Sequence, residues 1–205
     1  MRSSLISAAV LAAALSAVPA AAAPLFSDNF DGEALGLNTT LDNWTVSDGT
    51  IDVIGSIPTN SFNFYPGNGN YVDLDGSSRN AGTITTNTVF SFAAGTYTLT
   101  FELGGSTRGD TNTVNVTLGG IFAESFTLAS GAGLQLVTRT ITLNSAMGSG
   151  ALSFAHDGGD NLGLILDDVT LDYARPDVGV PAPLAASLLL AGLAGSFLRR
   201  KARAA

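Results

Sequence analysis

The chain has no cysteine and few basic residues, and both absences narrow its possible functions. Without cysteine no disulfide can form, so packing or a metal held by other ligands must stabilise the fold. Lysine and arginine together number nine, against seventeen aspartates and glutamates. Away from the two ends of the chain, the only basic residues are Arg79, Arg108, Arg139 and Arg175. Proteins that bind nucleic acid need a basic surface, so we do not expect nucleic acid as a partner.

Groups suited to catalysis are also scarce. The single histidine, His156, ends a short apolar stretch, and no nucleophile is evident beside it. Glycoside hydrolases need two facing carboxyl groups. The glutamates, Glu33, Glu102 and Glu124, do not belong to a paired motif. The sequence therefore predicts that the protein is not an enzyme.

The first residues have the pattern of a secretory signal peptide. Arg2 gives a positive start, residues 5–18 form an apolar core, Pro19 breaks this core, and small residues follow up to Ala23. This order of a basic start, an apolar core and small residues is the pattern that directs secretion. We therefore assign residues 1–23 to a signal peptide, which predicts that the rest of the chain is exported.

The last segment, residues 178–205, forms a second targeting pattern. A proline-rich hinge precedes an apolar run, and a basic cluster ends the run. Hinge and run together can just cross a hydrocarbon core about 30 Å thick at about 1.5 Å per residue, with the basic cluster on the cytoplasmic side. The pattern predicts a transmembrane helix with a basic tail. Its residues are Val180, Pro181 and Pro183 in the hinge, residues 184–198 in the run, and Arg199 and Arg200 at its end.

This tail resembles the PEP-CTERM sorting signals of Gram-negative bacteria, in the variant that begins Val-Pro-x-Pro. The resemblance implies export by the secretion machinery, transient insertion into the inner membrane and cleavage by an exosortase-type enzyme. It also implies delivery to the cell surface or the extracellular matrix. An ordinary single-pass anchor, in which the helix is retained, is the alternative.

Residues 24–177, between these two segments, are long enough for one domain with its own core. Apolar and polar residues alternate in several stretches, among them residues 97–103 and 169–173, and this period of two predicts β-strands. Glycine-rich turns separate the stretches, and no long segment of the domain has a helical period. The pattern predicts an all-β domain, an antiparallel two-sheet jelly-roll sandwich.

A second resemblance covers most of this domain. The sequence contains NFD at residues 29–31, YVDLDGS at 71–77, GTYTLTFELGG at 95–105 and LDDVTL at 166–171. This series resembles the choice-of-anchor C family of bacterial surface proteins, which are similar to plant cell-wall domains with a galactose-binding-like jelly roll. The resemblance implies a two-sheet sandwich and contact with polysaccharide.

Four aspartates are candidate metal ligands. Counting alternate residues places Asp167 on the same face as Val169, and Asp28 on the same face as its apolar neighbours. A carboxylate on a core face is costly unless it is paired or bound to a metal, and Ca²⁺ prefers such oxygen ligands. Because the first and last strands of a jelly roll commonly lie near each other, we predict a structural Ca²⁺ site made by Asp28, Asp31, Asp167 and Asp168. The alternative is that these aspartates cap turns or pair with an arginine.

An aromatic segment at residues 62–71 is the candidate ligand-binding site. Aromatic rings stack on the apolar faces of sugar rings, and neighbouring polar groups hydrogen-bond the hydroxyls. The alternative is that these aromatics plug one end of the sandwich, and we expect Trp44 to be a core residue of that kind. The predicted ligand contacts are Phe64, Tyr65, Tyr71 and Asp73.

These features favour an exported, non-catalytic surface or matrix protein that binds exopolysaccharide or a cell-surface glycan. A structural or adhesive module that self-associates or binds protein, without sugar specificity, is the first alternative. A glycan hydrolase that uses Glu102 or a pair of aspartates is the second. Fold alone does not decide among the three, because one fold can serve many functions.

Overall fold

A computed structural model describes residues 23–55 and 62–176 of the chain. This part consists of strands, turns and loops without a helix, and therefore contains no helix that could cross a membrane. The predicted sorting segment, residues 178–205, lies outside the described residues, as does the predicted signal peptide except for Ala23. The prediction of an all-β domain is confirmed.

Fourteen strands form the described part, and most of them are short, as expected for a sandwich with glycine-rich turns. Their bounds are β1 (Phe26–Asp28), β2 (Gly36–Thr39), β3 (Trp44–Ser47), β4 (Ile51–Gly55), β5 (Asn70–Asp73), β6 (Thr83–Thr86), β7 (Phe90–Ser91), β8 (Gly95–Gly104), β9 (Thr111–Leu118), β10 (Phe122–Ala129), β11 (Gln135–Leu143), β12 (Ser149–Gly150), β13 (Leu152–Asp157) and β14 (Ile165–Ala174).

Two antiparallel sheets form the sandwich. The large sheet has the order β11-β8-β14-β5-β4-β2, with β1 also paired to β14, and the small sheet has the order β10-β9-β13-β6-β3. Eight of these strands form the jelly roll, namely β5, β6, β8, β9, β10, β11, β13 and β14. When they are numbered one to eight in chain order, the neighbouring strands in the large sheet follow the order 6-3-8-1, and those in the small sheet follow the order 5-4-7-2. This alternation between sheets is the strand order of a jelly roll, two Greek keys in a double sheet. The predicted architecture is therefore present in the strand connections themselves.

Alternation of apolar and polar residues builds the core between the sheets. Along β8, Tyr97, Leu99, Phe101 and Leu103 are buried, whereas the residues between them are partly exposed. Trp44 is 2% exposed and packs edge-on against the ring of Phe26, as predicted for a core residue. Burying one large apolar side chain stabilises a fold by roughly 1.5–3 kcal/mol. Both sheets and both hydrophobic clusters lie within residues 26–174, so this segment contains the packing that it needs to fold.

The first and last strands are neighbours, as predicted. β1 pairs antiparallel with β14, so that Phe26 lies opposite Leu171 and Asp28 opposite Val169. One residue before β1, the Leu25 N–H donates a hydrogen bond to the Leu171 carbonyl over 2.8 Å. The chain therefore enters the sandwich beside the end of β14, where it also leaves.

A bulge interrupts β14 where its neighbour changes from β5 to β1. Pairing with β8 is regular as far as Asp167, which lies opposite Glu102, and resumes at Thr170, opposite Thr100. Between them Asp168 has a φ of 48°, in the left-handed region. One extra residue in a strand shifts the alternation of its side chains by one position.

This shift corrects one expectation from the sequence. Leu166 and Val169 both belong to the main core although they are three residues apart. Asp167 pairs with Glu102, which alternates with the core residues Phe101 and Leu103 and so points away from the core. The prediction that Asp167 shares the core face with Val169 is wrong, because counting alternate residues assumes a regular strand.

Candidate functional site

An acidic cluster lies on the outer face of the large sheet, the face turned away from the core. Its members are Glu102 on β8 and Asp167 and Asp168 at the bulge of β14, and their carboxylate oxygens lie within 4.8 Å of one another. The bulge brings two consecutive acidic residues to one place. Asp167 is 2% exposed, Glu102 is partly buried and Asp168 is exposed.

The electrostatics of the cluster disfavour a third negative charge. The pKa of Asp167 is raised from 3.8 to about 7, chiefly by burial and also by the nearby Asp168, Glu102 and Asp31, against a hydrogen bond from the Asp168 N–H that lowers it. Burial and the proximity of Asp168 also raise the pKa of Glu102. Carboxyl groups crowded in this way hold a proton or a cation between them.

The donor set suits Ca²⁺. Three carboxylates offer up to two oxygens each, and Ca²⁺ takes about six to eight oxygen ligands in flexible geometry. The exposed side of Asp168 leaves room for water to complete the shell. Two of the predicted ligands, Asp167 and Asp168, therefore lie together with Glu102, for which the sequence analysis had proposed only a hydrolytic role.

The other two predicted ligands have different partners. Both oxygens of Asp28 accept hydrogen bonds, Oδ1 from the Phe30 N–H and Oδ2 from the Trp44 indole (2.9 Å) and the Asn43 amide (3.1 Å). Asp28 is a capping residue that fixes Trp44, and it does not belong to the acidic cluster. The prediction of Asp28 as a ligand is corrected in favour of the turn-capping alternative.

Asp31 lies close enough to Asp167 to raise its pKa, but it is not a member of the cluster. Its Oδ1 accepts a hydrogen bond from the Asn70 N–H over 2.9 Å, and its Oδ2 from the Asn29 amide. Gly69 makes room for this contact, because a Cβ at Gly69 would overlap Asp31 Oδ1. Asp31 therefore tethers the start of β5 beside the cluster.

An aromatic loop, residues 62–69, packs on the same outer face. Phe62, Phe64 and Tyr65 are half-buried and lie over a small apolar floor that includes Tyr71 and Ile165. The rings of Phe62 and Phe64 meet edge to face, with centroids 6.3 Å apart. These residues are therefore partly accessible to solvent above the floor.

Tyr71 and Tyr65 hold this loop in place. The Tyr71 hydroxyl accepts hydrogen bonds from the backbone N–H groups of Phe64 (2.6 Å) and Tyr65 (3.0 Å), and its side chain is fully buried. The Tyr65 hydroxyl lies 2.7 Å from the Gly105 carbonyl and 2.9 Å from that of Ala132 and donates to them. Tyr71 therefore cannot stack on a sugar, and its predicted role as a ligand contact is wrong.

Asp73 is likewise a structural residue. It is 2% exposed, and its Oδ2 lies 2.5 Å from Nη2 of Arg108. Burial raises the pKa of Asp73 to about 7, against the lowering effect of Arg108. The same guanidinium donates to the Asn161 carbonyl and lies over the ring of Phe64, 4.8 Å from its centroid. The prediction of Asp73 as a ligand contact is wrong, because its carboxylate is buried in an ion pair with Arg108. Through its contacts Arg108 connects its own loop after β8 with the loop after β13 and with the aromatic loop.

A buried polar group lies at the same end of the sandwich. Asp75 is completely buried, and its Oδ2 accepts hydrogen bonds from the backbone N–H groups of residues 159–161. His156 is 7% exposed, and its Nε2 accepts a hydrogen bond from the Leu164 N–H. A nitrogen that accepts carries no proton, so the neutral ring is protonated at Nδ1. His156 thus supports a loop and is not placed as a catalytic base.

Comparison with known proteins finds similarity in solved structures, at low sequence identity. No family model matches the sequence, and no curated protein matches it. Of the solved structures, the K3 cleaved adhesin domain of Lys-gingipain from Porphyromonas gingivalis is 17% identical, with 73% of this chain and 99% of that chain aligned and a TM-score of 0.47.

Two carbohydrate-binding modules are also similar. One is the CBM22-1 xylan-binding domain of Paenibacillus barcinonensis Xyn10C, 10% identical over 78% of this chain and 99% of that chain, with a TM-score of 0.47. The other is TmCBM61 in complex with β-1,4-galactotriose, 20% identical over 65% of this chain and 90% of that chain, with a TM-score of 0.42. Similarity at this level carries no argument about what this chain binds.

Proposed function

We propose that this chain is an exported, non-catalytic surface protein whose jelly roll binds a polysaccharide at the aromatic loop. The observation that carries the proposal is the partial exposure of Phe62 and Phe64 on a floor fixed by Tyr71. Rings that are already immobilised lose little entropy when they stack on a sugar. Asn63 between them offers an amide for sugar hydroxyls.

The first test is retention on glycan. The segment of residues 23–176, applied to a glycan array and to the producer's own exopolysaccharide, is expected to bind at least one polysaccharide. Phe64→Ala removes a stacking ring and should weaken this binding roughly tenfold or more, because stacking on one aromatic side chain contributes about 1–3 kcal/mol in comparable systems. Val89→Ala, a change at a side chain 65% exposed, is the matched control and should bind as the wild type does.

Three results would contradict this function. If no glycan retains the segment, or if Phe64→Ala binds as well as the wild type, the aromatic loop is not a sugar site. If the protein releases reducing sugar and Glu102→Gln abolishes the release, it is a hydrolase, because Glu102 then supplies one of the two carboxyl groups that such a reaction needs.

We also propose that the acidic cluster binds a structural Ca²⁺. Support comes from three carboxylates within 4.8 Å of one another on two adjacent strands and from the raised pKa of Asp167. A cation there replaces the shared proton and joins β8 to the bulge of β14. The proposed ligands are Glu102, Asp167 and Asp168, and Asp31 lies near Asp167.

Thermal unfolding after chelator treatment tests the Ca²⁺ site. A ligand that binds only the folded state at a hundredfold excess over Kd stabilises it by about 2.7 kcal/mol. For a domain of this size that is a rise in melting temperature of roughly 5–10 °C. Glu102→Gln should abolish most of the rise, whereas Asp48→Asn, at an exposed turn, should not. An unchanged melting temperature of the wild type in excess Ca²⁺ would refute the site.

We propose that the two terminal segments direct the export and sorting of the protein. Residues 1–23 direct export, and residues 178–205 direct insertion and sorting, through Val180, Pro181 and Pro183 and the basic end at Arg199 and Arg200. A tagged full-length chain in its host should reach the surface or matrix with both ends processed, and Pro181→Ala with Pro183→Ala should hold it at the inner membrane. An uncut, soluble cytosolic product would contradict export.

A further inference from the structure

The strand β11 (Gln135–Leu143) forms one edge of the large sheet, and its outer side is unpaired. Among the described residues β11 pairs with β8 alone, in a continuous register from Gln135 opposite Leu103 to Leu143 opposite Gly95. The backbone N–H and C=O groups on its other side therefore form a row that can accept another strand. At nine residues, it is one of the longest strands of the domain.

This edge has few of the features by which proteins usually block strand addition. Such features are a proline, a charged side chain (above all lysine or an inward-pointing charge), a bulge or a very short edge strand, and of these β11 has only the charge of Arg139. β11 has the sequence QLVTRTITL, without proline, lysine or acidic residues, and its register with β8 contains no bulge. Its residues are mainly β-branched, which favours strands. Leu136 on this edge is 65% exposed.

The one charge on β11 is already neutralised. The Arg139 guanidinium donates from Nε to Glu124 Oε2 over 2.6 Å and from Nη2 to Oε1 over 2.5 Å, a two-pronged pair with the edge strand of the small sheet. It also lies over the ring of Phe126, 5.1 Å from the centroid. A second strand laid against β11 therefore meets no uncompensated charge at Arg139.

Charge distribution indicates which partner fits. The chain has a formal net charge of −8, yet between Thr111 and Ala155 only Glu124 and Arg139 are charged, and these two pair with each other. Two copies of an acidic protein repel each other over most of their surfaces. The side formed by β10 and β11 is where two copies can approach without that repulsion.

The sequence of β11 is also nearly symmetrical about its middle. Arg139 is flanked by Thr138 and Thr140, and these by Val137 and Ile141. Two copies related by a two-fold axis near Arg139 therefore place threonine against threonine and valine against isoleucine, which are favourable cross-strand pairs. The axis also brings the two Arg139 side chains opposite each other, and each of these is neutralised by Glu124 of its own copy. An interface around a two-fold axis uses the same surface of both copies, so that surface must be complementary to itself. The near-symmetrical sequence of β11 meets this requirement.

From these observations we propose that two copies of this chain associate through their β11 edges, in antiparallel pairing that joins the two large sheets into one continuous sheet. Self-association through β11 leaves the acidic cluster and the aromatic loop of each copy untouched, since neither involves residues of this strand. A test of self-association can therefore succeed or fail independently of whether the domain binds glycan.

The absence of native cysteine makes disulfide cross-linking a direct test. Single-cysteine versions of the full-length chain, Thr138→Cys and Thr140→Cys, place an exposed thiol on β11. Under mild oxidation these chains, alone or mixed, should form covalent dimers, because a disulfide needs Cα atoms about 4.4–6.8 Å apart. Which combination reacts identifies the register. Thr98→Cys, opposite Thr140 but one strand further in, is the matched control and should not cross-link.

Sedimentation of residues 23–176 supplies the second test. The wild type should sediment as a concentration-dependent dimer. The double variant Thr138→Lys, Thr140→Lys should be a monomer with an unchanged circular dichroism spectrum, since four lysines would then face one another across the axis. The proposal is overturned if the wild type is a monomer at its highest soluble concentration, or if the β11 cysteines cross-link no faster than Cys at position 98.

Discussion

Asp167 lies directly opposite Glu102 across the ladder between β14 and β8, with both carboxyl groups on the outer face of the large sheet. Like charges directly opposite each other destabilise a sheet. In the absence of a cation, the pair therefore relies on a proton to lower the repulsion. This relationship makes the stability of the domain depend on pH in a direction that can be measured.

The first prediction concerns the cation-free domain at different pH values. The folded state raises the pKa of Asp167 to about 7 from 3.8, so its protonation stabilises the fold at low pH and this contribution is lost as pH rises from about 4 to 7. Urea unfolding in chelator should show the loss, and Glu102→Gln should reduce it by removing one negative neighbour. Asp48→Asn should leave the pH profile unchanged. Identical profiles for the wild type and Glu102→Gln would contradict the proposed coupling.

The second prediction separates Asp28 from the acidic cluster. Asp28→Ala removes the acceptor of the Trp44 indole and should destabilise the domain by about 1–3 kcal/mol, the cost of an unpaired buried donor. Asp28→Asn keeps an acceptor oxygen and should cost less. In chemical denaturation with and without Ca²⁺, both variants should keep the full stabilisation by the ion. Loss of the Ca²⁺ response in Asp28→Asn would restore Asp28 as a ligand.

The third prediction compares two glycines of the aromatic loop. Gly69 and Gly67 both have positive φ, 74° and 103°. A Cβ at Gly69 would overlap Asp31, whereas one at Gly67 would meet nothing within 4 Å. Gly67→Ala should therefore cost only the backbone strain, about 1–2 kcal/mol, and Gly69→Ala should cost clearly more. Melting temperatures of the two variants give the comparison, and equal losses would show that the contact between Asp31 and Asn70 contributes little.

The fourth prediction concerns His156. Burial lowers its pKa from the ordinary 6.5, although Asp75, Asp157, Asp110 and Asp160 act in the opposite direction. The unfolded chain then takes up the proton first, so this residue contributes stability above pH 6.5 that is lost as pH falls from 6.5 towards the lower pKa of the folded state. His156→Gln can keep an acceptor for the Leu164 N–H but cannot titrate. The stability of the wild type relative to this variant should decline as pH falls below about 6.5, and a constant difference would refute the assignment.

Much of the fold was predictable from sequence because several strands are regular. Residues 97–103 and 169–173 alternate strictly, and both lie in long strands, β8 and β14, with the expected faces inward. Glycine-rich turns at 119–120, 131–133 and 158–159 fall between strands, as expected, whereas Gly104 of the predicted turn at 104–105 is the last residue of β8. In these stretches local preference and tertiary packing agree.

The candidate site was less predictable, because it depends on register and on one bulge. Nothing in the alternation of β14 indicates that Asp168 adopts a left-handed conformation, and without that knowledge Asp167 falls on the wrong face. Glu102 was missed as a ligand for a related reason, since its position opposite Asp167 follows from strand pairing between distant segments. The only sequence feature that pointed to this site was the pair of consecutive acidic residues, Asp167 and Asp168, near the end of the domain.

Tyr71 and Asp73 failed as ligand contacts because sequence does not show which side of a strand another segment will cover. Both lie on the outer face of β5, which is normally exposed at the surface of a sandwich. Here the aromatic loop covers Tyr71, and Arg108 reaches Asp73 from the connection between β8 and β9. Phe64 and Tyr65 are only half-covered, so the sequence located the loop but not its individual roles.

The position of β14 has a mechanical consequence. The described domain ends on this strand, and β14 is hydrogen-bonded on both sides, to β8 along one edge and to β5 and then β1 along the other. Tension applied through the segment that follows Ala174 is therefore transmitted to the interior of the large sheet and must break two hydrogen-bond ladders before the strand is extracted. A domain tethered by its carboxyl-terminal side and pulled by whatever it has bound would resist this load better than one whose tether continued from an edge strand.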